Sequence, residues 1–109
     1  MSQFDSLLQE LKKFRDERDW EQFHNPKDLA LAINVEAGEL LELYLWKQPD
    51  EADKEKVKEE LADIFAFTIL LADKYGFDVA EIIQEKIKKN AEKYPIDKAI
   101  GTARKYNEL

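Results

Sequence analysis

The sequence predicts an all-α fold: a four-helix bundle whose two central helices need further helices packed around them. Three observations carry this. Only three Gly and three Pro occur in 109 residues, so few positions break a helix. Apolar residues recur with helical period in four segments, and no useful run of strand-period alternation appears. Recognisable start and stop residues bound the segments.

The first helix is expected over about Ser2 to Glu17. Phe4, Leu7, Leu8, Leu11 and Phe14 form one stripe, and Ser2 with Asp5 suits the start. Residues 18 to 25, with Trp20, Phe23 and His24, read as a loop, and His24 as a surface or capping neighbour. Asn25-Pro26 then starts a second helix, with Asn at the cap, Pro at the first position and Asp28 in the first turn. It is expected to reach Lys47, before Gln48-Pro49. The third should begin near Asp50 or Asp53 and end at Tyr75, with Gly76 closing it. The fourth opens on Asp78 with Glu81 three residues on, runs to about Lys93, and stops at Tyr94-Pro95. A short helix followed by extended chain is expected from Ile96 to Leu109.

Helices two and three are apolar almost all the way round, as in Leu29-Ala30-Leu31-Ala32-Ile33 and Ile64-Phe65-Ala66-Phe67-Thr68-Ile69-Leu70-Leu71-Ala72. Such helices must be surrounded. One chain of this size does not enclose two of them, so self-association is expected.

Composition narrows the function. With no cysteine, disulfides and thiolate metal sites are excluded. A net charge of −7 disfavours general nucleic-acid binding. Neither a secretory leader nor a membrane span is expected, and a cytoplasmic location follows. No Gly-rich phosphate loop occurs, and one histidine without cysteine leaves no nucleophilic triad. We read residues 1–109 as a single domain.

Four acids break the apolar pattern. Glu36-Ala-Gly-Glu39 and Glu60-Leu-Ala-Asp63 each place two carboxylates one turn apart on one helix face. At about 100° per residue, Glu36 falls within the arc of Leu29, Ala32, Ile33, Leu40 and Leu43. Glu60 and Asp63 share an arc with Phe67, Leu70 and Leu71. These positions are poorly placed for solvation. If the two helices pack antiparallel, four carboxylates meet in one cleft and repel. A divalent cation removes the conflict, and all-oxygen ligation suits Mg²⁺, with Mn²⁺ as a substitute, rather than Zn²⁺. A di-iron site needs Glu-x-x-His motifs on its helices, and the only histidine, His24, lies in the expected loop. The alternative is structural: ion bridges from these acids to Lys54, Lys58 or Lys74, in a helical interaction module without catalysis.

The ExxE and ExxD motifs, about twenty residues apart, resemble the signature of the MazG-like all-α nucleoside triphosphate pyrophosphohydrolases. The stretch from Phe14 to His24, FRDERDWEQFH, is similar to that preceding the first motif in the dCTP pyrophosphatase branch. Similar too are the segment from Glu39 to Lys47, then Lys86, Asn90 and Lys93-Tyr94-Pro95, and the closing Arg104-Lys105-Tyr106. The resemblance covers nearly the whole chain. It implies hydrolysis of a (deoxy)nucleoside triphosphate to monophosphate and pyrophosphate, with dCTP the leading substrate and nucleotide-pool cleansing the role. It makes Glu36, Glu39, Glu60 and Asp63 the Mg²⁺ ligands and catalytic acids. Trp20 and Trp46 match positions that enclose the base. Lys86, Asn90, Lys93 and Tyr94 match the phosphate and sugar side. Phe67 stands where eukaryotic dCTP-preferring members tend to carry tyrosine, and the missing hydroxyl implies looser recognition. Related substrates are dUTP, dATP, a modified nucleotide or phosphoribosyl-ATP. The implied assembly is a homotetramer built as a dimer of dimers.

Overall fold

A computed structural model describes residues 2–109. They form only helices and turns: α1 (Gln3–Glu17), a 3₁₀ turn (Glu21–Phe23), α2 (Pro26–Glu42), α3 (Lys54–Lys74), α4 (Val79–Lys93), α5 (Ile96–Ala99) and a 3₁₀ turn (Tyr106–Glu108). The all-α expectation holds, with no strand among the described residues. None of the described helices is long and apolar enough to cross a membrane. Contacts divide the chain into two compact units, one ending at Phe77 and the other spanning Asp78–Leu109.

Local chemistry sets the helix starts. Ser2 and Asp5 form a reciprocal box: the Asp5 N–H donates to the Ser2 hydroxyl at 3.1 Å, and the Ser2 N–H to the Asp5 carboxylate at 3.1 Å. Asn25 accepts from the Asp28 N–H at 2.9 Å, with Pro26 at the first helical position. Asp53 accepts from the Glu55 N–H, and Asp78 from the Glu81 N–H. Each satisfies a donor that the helix itself leaves open. After α3, Gly76 takes φ +72°, a left-handed conformation open to glycine without steric cost.

Two expected boundaries change. α2 stops at Glu42, not Lys47. Beyond it the N–H groups of Tyr44 and Leu45 reach back three residues, to Leu41 and Glu42, so the helix tightens into turns. Trp46 then takes φ +62°, unusual for an aromatic residue, and continued helix is impossible there. The segment read as a loop before α2 contains the 3₁₀ turn. In the tail, the short helix expected after Pro95 is α5.

In the first unit α2 packs against α3, and α1 packs on α3. Glu36 meets Glu60 and Asp63, while Tyr44 shares a recess with Lys54 and Val57. Partners thus fall along α3 as they rise along α2, which is the antiparallel arrangement. Leu29 from α2 and Ile69, Leu70 and Ala72 from α3 form the buried core. Lys12–Asp73 at 3.1 Å and Lys74–Glu21 at 2.9 Å tie α1 and the 3₁₀ turn to the end of α3. Away from this seam the apolar residues stay open: Leu31, Val35 and Leu41 on α2 and Phe65 on α3 are all more than half exposed. These faces of the central helices are left uncovered by the chain itself.

This core is small, so truncating its centre is costly. Leu29→Ala should lower unfolding free energy by roughly 2–5 kcal/mol, and Asn25→Ala by about 1 kcal/mol through the lost cap. Urea denaturation followed by circular dichroism checks both. A Leu29→Ala midpoint equal to wild type would contradict this core assignment.

Candidate functional site

Antiparallel packing of α2 on α3 brings three of the four singled-out acids together. Glu36, Glu60 and Asp63 each offer one oxygen, and these oxygens all lie within 4.8 Å of one another. Glu36 and Glu60 are half-buried and Asp63 is exposed, so the cluster sits at the edge of the helix seam. Glu39 is exposed, outside this trio, and interacts with Glu36. The expectation that all four acids avoid solvent is therefore corrected: one acid of each pair faces out. An i, i+3 pair straddles an arc, and a seam between two helices is narrower than that arc.

Like charge at this range is unfavourable unless a proton or a cation intervenes. The Glu60 carboxylate beside it, then burial, then Glu39, push Glu36 from its ordinary 4.5 up to about 8. One oxygen of Glu36 and one of Glu60 are enclosed without a hydrogen-bond partner. No lysine or arginine among the described residues pairs with any of the four acids. The cations proposed for such bridges lie elsewhere: Lys74 pairs with Glu21 and Lys58 with Glu55. Enclosed, unpartnered carboxylate oxygens converging from two helices fit a hard divalent cation, which takes oxygen ligands.

Asp63 also lines a cavity of about 360 Å³ whose walls include Leu11, Phe14, Arg15, Trp20, His24 and Phe67. The segment after α1 builds one wall. Asp19 takes φ +55°, and the Trp20 N–H returns to the Arg15 carbonyl at 3.1 Å. This fold-back sets the Trp20 ring edge-on to Phe14, centroids 5.7 Å apart. Arg18 stacks over Phe14 at 3.7 Å from its centroid, closing the outer side of that pair. The His24 ring stands edge-on to Phe67, centroids 6.4 Å apart, with Nδ1 enclosed and unpartnered. Burial, then the charge of Arg15, holds His24 below its ordinary value and favours the neutral ring.

Trp20, expected around the base, and Phe67, expected at the substrate, are thus walls of one cavity that ends at an expected metal ligand. Trp46 is fully exposed and is not part of that wall. Lys86, Asn90, Lys93 and Tyr94 lie in the second unit, where the Lys93 ammonium sits 4.9 Å from the Tyr106 ring centroid and Tyr94 meets that ring edge-on. Two polar wall residues, Arg15 and His24, were not legible in the sequence as site residues. Arg15 falls within a charged surface run, and nothing in its spacing marks it as buried. His24 reads as a capping neighbour of Asn25-Pro26, and only the fold-back of residues 18–25 turns it inward.

A model of the MazG-like family matches residues 31–109, which spans the carboxylate pairs and the second unit. The dCTP pyrophosphatase 1 of Mus musculus is 36% identical over 105 residues, covering 89% of this chain and 62% of that protein. That of Homo sapiens is 37% identical with the same coverage. The chain thus spans less than two thirds of the length of these curated relatives. Among solved structures, a pyrophosphatase from Archaeoglobus fulgidus is 35% identical with a TM-score of 0.81, over 87% of this chain and 94% of that one.

The raised Glu36 makes a pH prediction. Its carboxyl ionises more easily unfolded than folded, so the stability it contributes is complete below about 4.5 and fades as pH rises through about 8. In metal-free protein, Glu36→Gln should raise the melting temperature relative to wild type, by a margin that grows from pH 5 to pH 8. Thermal melts in chelator across that range measure the margin. A margin that stays constant would show that Glu36 titrates normally.

Proposed function

This chain belongs to the MazG-like family, and on that premise we propose that it is a divalent-cation-dependent nucleoside triphosphate pyrophosphohydrolase with residues 1–109 acting as one domain. The observation that carries the reading is the cluster of Glu36, Glu60 and Asp63, whose Asp63 also lines an aromatic-walled cavity. A structural module has no need for converging, unpaired carboxylates, which weaken a fold unless something neutralises them.

In this reading Glu36, Glu60 and Asp63 hold Mg²⁺, with Glu39 beside them. The bound cation would offset the charge of the triphosphate and ease ionisation of the attacking water. The chain's own groups do the rest. Either Glu36 or Glu39 takes the proton from water in this reading, and the exposure of Glu39 supports the second. Asp63 joins the carboxylate cluster to the cavity, so a phosphate chain held at the cluster directs its nucleoside between Trp20 and Phe67. Stacking on such walls is open to every base, since each has a π-face. Hydrolysis forms one P–O bond to the water oxygen and breaks one bridging P–O bond, giving monophosphate and pyrophosphate. The leading substrate is dCTP, by likeness to the relatives named for that activity. Removal of unwanted nucleotides from the pool is the matching role.

Lys86, Asn90, Lys93 and Tyr94 are proposed to contact the phosphates and sugar. Trp46 is proposed to enclose the base of a site in a neighbouring copy, for its indole is wholly exposed on a left-handed turn. The uncovered faces of α2 and α3 support self-association into a tetramer of paired dimers, because contiguous exposed apolar surface is poorly tolerated in isolation.

Pyrophosphate release from a panel of triphosphates, with Mg²⁺ or with chelator, tests the activity. Turnover of dCTP should need the cation. Glu36→Gln, Glu39→Gln and Asp63→Asn should each lower kcat by roughly 100-fold or more while the metal-free fold survives. Wild-type turnover in all three variants would refute this mechanism. Light scattering coupled to size-exclusion chromatography should give a mass near four chains. A stable monomer would refute the assembly.

A further inference from the structure

Most of the cavity beyond Asp63 cannot tell one base from another. Leu11, Phe14, Trp20 and Phe67 present apolar or aromatic surface, which accepts any flat ring. Phe67 has no hydroxyl to add. His24 keeps its Nδ1 enclosed against the protein. One strong polar group remains in the wall. Arg15 is only 8% exposed, an unusual burial for a guanidinium. Its Nε donates to Asp16 at 2.8 Å, which fixes the plane of the group. The two terminal nitrogens, Nη1 and Nη2, have no hydrogen-bond partner among the described residues.

We propose that Arg15 reads the nucleobase, selecting a base that presents two adjacent hydrogen-bond acceptors on one edge, as cytosine does with O2 and N3. The inference rests on the triphosphate-hydrolysis reading above. A guanidinium is planar, carries only donors, and directs parallel N–H bonds at neighbouring acceptors. Cytosine matches with O2 and N3, and guanine with O6 and N7. Uracil and thymine do not match, because a ring N–H lies between their two carbonyls. Adenine does not match, because its N1 and N7 each adjoin the N6 amino group. A buried guanidinium facing such a donor is left with unpaired N–H groups, and that penalty supplies the discrimination. Selectivity against dUTP therefore needs no hydroxyl at position 67, since the acceptor pair is read by a wall residue of α1.

The test compares kcat/KM for pyrophosphate release from dCTP, 3-deaza-dCTP, dUTP, dGTP and 7-deaza-dGTP with the wild-type chain. Replacing the N3 acceptor of cytosine by C–H should lower kcat/KM by about 10- to 100-fold. If guanine is the base taken, the same loss appears in 7-deaza-dGTP relative to dGTP, which supports the acceptor-pair rule with the other source. In parallel, Arg15→Met should reduce the dCTP-to-dUTP ratio of kcat/KM by about 10- to 100-fold. Turnover of triphosphates with no deaza effect overturns the proposal and leaves the hydrolase reading standing. So does an equal loss on dCTP and dUTP in the variant, since Arg15 would then act on the phosphates or the fold. No turnover of any triphosphate overturns both. The analogue arm uses only wild-type protein, so it can overturn the proposal even where Arg15→Met fails to fold.

Discussion

The antiparallel contact of α2 with α3 is the constraint on which the site depends. Leu29 of α2 and Ile69, Leu70 and Ala72 of α3 are buried in this fold, and the same contact brings Glu36 to Glu60 and Asp63. The apolar and acidic contacts oppose each other. Burial of the leucine and isoleucine side chains favours the seam, at roughly 1.5–3 kcal/mol per side chain. Like charges at its edge disfavour it unless neutralised. A chain of this size has only a modest margin of stability. Retaining the acids in the seam is costly for the fold alone, and is understandable where a ligand removes the repulsion.

The second element of the site is the fold-back after α1. Left-handed Asp19 and the Trp20-to-Arg15 backbone bond reverse the chain, and the Lys74–Glu21 pair fastens the following turn to α3. Trp20, His24 and buried Arg15 thereby meet Phe67 of α3 around one cavity. The carboxylates and the cavity share Asp63 and α3, so in the proposed reading one helix holds both the phosphate and the base. Disruption of either would be felt by both.

Much of this was legible in the sequence, for identifiable reasons. Helix starts are local, and Ser2, Asn25, Asp53 and Asp78 announce them through side-chain to backbone bonds. The i, i+3 acids are also local, since helical spacing fixes their face. The end of α2 was not legible. Residues 43–47 have adequate helix propensity, but the return to α3 makes the chain turn at Trp46. Arg15 and His24 were hidden for a similar reason. Their place in the cavity depends on where residues 18–25 fold, and that is decided by long-range contacts with α3. The sequence also overstated the burial of Glu39 and Asp63, because periodicity assigns a face to a residue without fixing how far the neighbouring helix extends over it.

The central claim is that the acids of this seam bind a divalent cation. Isothermal titration of Mg²⁺ into metal-free wild type and into Glu60→Gln tests it most directly. The account predicts saturable binding by wild type, accompanied by release of the proton held by Glu36, and binding weakened by at least about 10-fold in the variant. Glu60→Gln binding Mg²⁺ as tightly as wild type, or wild type showing no saturable binding, would contradict it.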